Sequence, residues 1–207
     1  MVFPMYTVAA ETVLEMTKMR PHEELKADGL LTQFDKSMGR ATFVSHQWVG
    51  RHHPDPDFKQ FKVLQDALKN IMTKIDEIHL DIFSEIYLPD MKPMSTKEFR
   101  STCSPIFVWY DFFSCPQLEA APRINLLSAI DSIPAYVAQC EFFFVLCPCI
   151  ETSDRTHLLS PNTWAERGWC RVERTMRELS TNPSYIVVKS ATQLELVASA
   201  AWSYGGS

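Results

Sequence analysis

Four short apolar runs divide the chain: Thr42-Phe43-Val44-Ser45, Ile106-Phe107-Val108-Trp109-Tyr110, Phe142 to Leu146, and Tyr185-Ile186-Val187-Val188. Each is continuous, short, and rich in β-branched or aromatic residues. That is the pattern of a strand buried on both faces. Between them the period lengthens. Phe58, Phe61, Leu64, Leu68, Ile71, Ile75 and Ile78 recur at helical steps, with Lys59, Lys62, Asp66, Lys69, Asn70 and Lys74 on the other side. Ile124 to Gln139 predicts the next helix, with Leu127, Ile130 and Ile133 on its buried face and Pro134 kinking or splitting it. A further helix is expected over Asn162 to Ser180. Thr163 and Glu166 have the spacing of a capping box, and Trp169, Val172, Met176 and Leu179 make one stripe, predicted to be buried. Strand, helix, strand, helix, strand, helix, strand demands a parallel sheet with helices on both faces, an α/β fold.

The flanks are less regular. Residues 1–40 read as an N-terminal helical extension packed on the main body. Val8 to Met19 predicts a helix stopped by Pro21, and His22 to Lys26 a second one ending near Gly29. Residues 41–207 form the α/β domain. Within it, about residues 80–105 carry Pro89, Pro93 and only isolated apolar positions, and read as an insertion. Thr192 to Trp202 predicts a last short helix. No internal repeat is visible.

Composition removes several classes of function. The chain has 207 residues, enough for one real core, and 46% of them are apolar. Net charge is −5 with no basic tract, so nucleic acid is not the expected partner. No apolar run approaches the roughly 20 residues of a membrane span. Met1 to Met16 has no basic residue before its apolar part and is interrupted by Glu11 and Glu15, unlike a signal peptide. The six cysteines, at 103, 115, 140, 147, 149 and 170, are scattered, and three of them lie in or beside apolar runs. Reduced, buried thiols and a cytoplasmic setting are expected.

Candidate chemistry gathers where strands end. No glycine-rich phosphate loop is present. His46, His52, His53, Asp55 and Asp57 share one loop but match no metal-binding spacing, and no metal site is expected. Cys147-Pro148-Cys149 has one residue between its thiols, a poor fit to redox or zinc motifs. Cys115 and His46 are a conceivable nucleophile and base that nothing in the sequence brings together. Asp111 follows five buried residues, so it either faces a ligand crevice or caps the next turn. Trp48, Trp109, Trp164 and Trp169 either stack on a base or belong to the core. Glu173 lies one turn after Trp169. It is either a sheltered carboxylate able to do chemistry or a surface residue paired with Arg177.

The order of these signals resembles that of a Toll/interleukin-1 receptor/resistance (TIR) domain over about residues 41–190. Phe43-Val44-Ser45-His46 is similar to the family's first strand end, and Val108-Trp109-Tyr110-Asp111 to its second. Ala129-Ile130-Asp131-Ser132 is similar to the helix before its third strand. Trp169-Cys170-Arg171-Val172-Glu173 resembles its Trp-Cys-x-x-Glu motif. The resemblance implies a flavodoxin-like parallel sheet of about four to five strands. It further implies NAD as a substrate, with no cofactor, and cleavage at the ribose–nicotinamide bond in a stress or immune-type signalling role. Glu173 would be the catalytic carboxylate, and Ser45, His46, Trp48, Asp111 and Trp169 would bind substrate. The alternative is a non-catalytic interaction module. Self-association, or contact with other TIR-like domains, is implied on either view.

Overall fold

The four predicted strands lie side by side at the centre of one sheet. The structure, a computed structural model, describes residues 1–101, 104–117 and 123–198. The chain opens with β1 (Tyr6–Ala9), α1 (Ala10–Glu15), α2 (His22–Ala27) and β2 (Thr32–Gln33). Then come β3 (Arg40–His46) and α3 (Lys59–Thr73). α3 stops short of Ile75 and Ile78, and β4 (Glu77–Ile78) follows it; the insertion then holds α4 (Ile82–Tyr87) and β5 (Met94–Ser95). Next are β6 (Ile106–Trp109), α5 (Asp111–Ser114), α6 (Arg123–Asp131), α7 (Ile133–Gln139) and β7 (Phe142–Leu146). A small hairpin of β8 (Ile150–Glu151) and β9 (Leu158–Leu159) leads to α8 (Pro161–Glu166) and α9 (Gly168–Glu178). β10 (Tyr185–Val188) and β11 (Leu194–Val197) close the described chain.

The sheet has seven strands in the order β11-β10-β7-β3-β6-β1-β2. β10, β7, β3 and β6 are mutually parallel. Numbered among themselves in chain order, these four read 2-1-3-4 across the sheet, the flavodoxin-like arrangement. β1, β2 and β11 add antiparallel edges.

Alternation along the strands makes two cores. Val44, Val108, Phe144 and Ile186 face α1 and α3, while Phe43, Trp109, Val145 and Val187 face α7 to α9. On the second face Phe143, Phe43 and Trp109 form a stacked ladder across three strands, with ring centroids 5.2 and 4.2 Å apart. Gly39 lets β3 begin against β6. Its φ is +152°, and an added Cβ would lie 2.3 Å from the Pro105 carbonyl oxygen.

Several local expectations are corrected. The N-terminal 40 residues are not purely helical: Tyr6-Thr7-Val8-Ala9 pairs with β6, and α1 is only six residues long. The aromatic and β-branched residues there have a buried strand edge to fill. Leu194–Val197 is likewise a strand where a helix is expected, and residues 199–202 of that predicted helix lie outside the described residues. The helix predicted over Asn162 to Ser180 is two helices, broken where Arg167 turns extended, at ψ 132°. Ser160 caps the first of them and Thr163 answers as its third residue, so the box lies three positions earlier than the sequence suggests. Leu127 is exposed and Ala129 takes its place on the buried side. The insertion is packed, not loose. Phe99 stacks on Phe142 at 4.0 Å, and the backbone at His79 to Asp81 bonds to Leu196. No helix among the described residues is long and apolar enough to cross a membrane.

Candidate functional site

The carboxyl end of β3 carries two polar clusters, back to back. Pleating points Ser45 to the α7–α9 side and His46 to the α3 side, although they are neighbours in sequence.

On the first side, Ser45 is fully buried. Its Oγ accepts a hydrogen bond from Trp164 Nε1 at 3.0 Å and donates to Glu173 Oε2 at 2.5 Å. With one lone pair taken by the indole, the serine hydroxyl is aimed at the carboxyl group. Glu173 is 9% exposed and forms no ion pair among the described residues. Burial raises it from its ordinary 4.5 to about 8, against the Ser45 hydrogen bond; the nearby Asp111 charge adds to the rise and His46 opposes it. The expected Glu173–Arg177 ion pair does not form. Arg177 turns inward and donates to the carbonyls of Cys140, Glu141 and Ser184, each at 2.8 to 2.9 Å. Its burial lowers the guanidinium to about 10.

On the second side, His46 Nε2 lies 2.8 Å from Asp111 Oδ1, and Nδ1 lies 3.2 Å from the Gln47 carbonyl and 3.1 Å from the Tyr110 hydroxyl. Trp48 Nε1 donates to the other Asp111 oxygen at 2.8 Å. Burial alone would push the imidazole down, but the charge and hydrogen bond of Asp111 outweigh it and hold His46 above 6.5. Asp111 is held below its ordinary value: burial works against ionisation, and His46 and Trp48 overcome it. Asp111 is the first residue of α5, one past its N-cap Tyr110, and its two carboxylate oxygens are taken up by His46 and Trp48 at the crevice.

Around these clusters the loop from β3 is fixed by its own polar groups. Gln47 donates to the Ser160 carbonyl and to Thr163 Oγ1, tying the loop to α8. The Asp55 carboxylate accepts from the Lys59 and Phe61 backbone N–H groups and starts α3. His53 Nδ1 accepts from Asp55 N–H, and Asp57 pairs with Lys59. Among the described residues no three His, Cys, Asp or Glu side chains come together as a metal-binding set. Cys115 does not reach His46; burial pushes its thiol up, as it pushes those of Cys147 and Cys170 to about 12, so none is a ready thiolate.

An open cleft of about 740 Å³ adjoins the Asp111 cluster through Trp48, lined by Trp48, Gly50, Arg51, Ser153, Asp154 and Arg167 among others. Of the substrate-binding candidates, Trp48 lines it. Asp111 is about one-third exposed nearby, while Ser45 and His46 lie beneath the surface. Trp169 points outward, 57% exposed, and is not part of the lining. Trp109 is core. The two arginines escaped the sequence reading because their loops, remote in sequence, meet only through the strand order.

Fold and site together define a flavodoxin-like α/β protein with a buried carboxyl group at the crevice of the sheet and a cleft beside its Asp111 cluster. No protein-family model, curated protein or solved structure matches the chain.

Proposed function

We propose that this chain is a TIR-like hydrolase that cleaves NAD between ribose and nicotinamide, with Glu173 as its catalytic residue. The observation that carries this reading is the Glu173 carboxyl itself. It is buried beside the strand end where open α/β sheets bind ligands, and among the described residues it forms no ion pair. Such a group costs stability, a cost that function explains better than structure.

The chemistry suits the group. The C1′–N bond breaks and its electron pair leaves with nicotinamide, which departs neutral. Positive charge builds on the ribose, and the Glu173 carboxylate stabilises it. Water then adds at C1′ and loses a proton, giving ADP-ribose. The cationic nicotinamide ring of the substrate favours ionisation of the buried carboxyl when it binds. Ser45, aimed by Trp164, fixes the carboxylate and is a positioning residue. Purified protein should release nicotinamide from NAD, and Glu173→Gln should not. Wild-type protein that releases none, even under crowding, would refute the hydrolase.

One observation favours a second reading, an interaction module that associates with its own kind. Trp169, Val172 and Leu179 lie exposed along α9. Nicotinamide release separates the two, and sedimentation velocity tests the association itself. An interaction module gives a concentration-dependent dimer or larger species that Trp169→Ser dissolves, with no nicotinamide released. A strictly monomeric protein would rule out self-association.

A further inference from the structure

The loops leaving β3 and β7 part at the crevice, one towards α3 and the other towards α8. They touch where Ser153 N–H donates to the Val49 carbonyl at 3.1 Å, and beside that contact lies the cleft. Arg51 comes from the β3 loop and Arg167 from the break between α8 and α9. The guanidinium of neither makes an ion pair among the described residues, whereas Arg20, Arg40, Arg100 and Arg174 all pair with carboxylates. Among the described residues the lining also carries Asp154, an ionised carboxylate, so the two guanidinium groups leave the cleft one net positive charge. Asp154 accepts from the Thr152 hydroxyl, the Thr156 hydroxyl and the Thr156 N–H, which hold it down to about 2. Two uncommitted guanidinium groups in one cleft, on a chain of net charge −5, form an anion-binding arrangement.

We infer that this cleft binds the diphosphate of a dinucleotide, with Arg51 and Arg167 as its contacts and Trp48 beside the attached sugar or base. The inference rests on the nucleotide reading of the neighbouring carboxyl site and adds the part of the substrate that this chain grips. Trp48 joins the two regions: one side lines the cleft, while its N–H is fixed by Asp111.

The test is calorimetric titration of the full chain with inorganic pyrophosphate at low salt, comparing wild type, Arg51→Ala/Arg167→Ala and Glu173→Gln. Wild type and Glu173→Gln should bind alike. The double variant should bind on the order of tenfold or more weakly, the loss expected for charge-assisted hydrogen bonds. Absent wild-type binding, or equal binding by the double variant, overturns the assignment. Turnover keeps the two claims apart. If the cleft is assigned correctly, the double variant raises KM for NAD but leaves cleavage of phosphate-free nicotinamide riboside unchanged. If NAD turnover survives the double substitution unaltered, the cleft assignment fails and the hydrolase stands. If nothing is cleaved yet pyrophosphate binding depends on both arginines, the hydrolase fails and the cleft stands.

Discussion

Glu173 holds a proton in the folded chain that it would lose on unfolding. Its value is about 8 when folded, against an ordinary 4.5. Between those values the folded state binds one proton more, so stability falls as pH rises through that window. Glu173→Gln removes this penalty and can keep a hydrogen bond to Ser45. It should raise unfolding stability by roughly 3 kcal/mol at about pH 7 and by almost nothing near pH 4. Urea unfolding at the two pH values checks this; an equal effect at both would show that the carboxyl is not held neutral. His46 and Asp111 behave oppositely. The raised imidazole lends stability that is lost as pH rises past its folded value, and the lowered Asp111 lends stability that is lost as pH falls below the carboxylate range. The sequence marked Glu173, Ser45, His46, Trp48 and Asp111, because each sits at or beside a legible strand end or helix. It did not show that Ser45 and His46 face opposite ways into separate clusters, since that depends on which side each helix covers.

At the scale of elements, the central strands were legible because burial on both faces leaves an unbroken apolar run. The edge strands were not: Thr7 interrupts the apolar run of β1, Glu195 that of β11, and β2 is only two residues long. α9 is the instructive failure. Of its predicted stripe, Trp169, Val172 and Leu179 face outward and Met176 packs on the core, while Cys170, Glu173 and Arg177 are buried. A periodicity argument assumes that apolar residues claim the core. Here Arg177 reverses that by satisfying three carbonyls, including those that end α7, and it thereby sets the rotation that turns Glu173 inward. Arg177→Lys cannot serve all three carbonyls and should cost roughly 3 kcal/mol or more. It should also impair nicotinamide release more than the change in stability alone explains. A variant as stable as wild type would show that the anchoring is dispensable.

For the whole molecule, the strand order does what no local motif can. It brings the exits of β3, β6 and β7 to one end of the sheet, and with them Ser45, Asp111 and the hairpin that bears Asp154. Glu173 and Arg167 arrive from the far side of that hairpin. The alternation of elements predicted the parallel sheet, but the cleft follows from long-range pairing that the sequence does not spell out.

The most direct measurement is kcat/KM for nicotinamide release from NAD between about pH 6 and pH 9, wild type beside Glu173→Gln. If an ionised Glu173 carries the reaction, wild-type activity rises with pH towards a plateau with a midpoint near 8, and the folded Glu173→Gln protein is inactive. Release that is independent of pH across that range, or undiminished in Glu173→Gln, would contradict it.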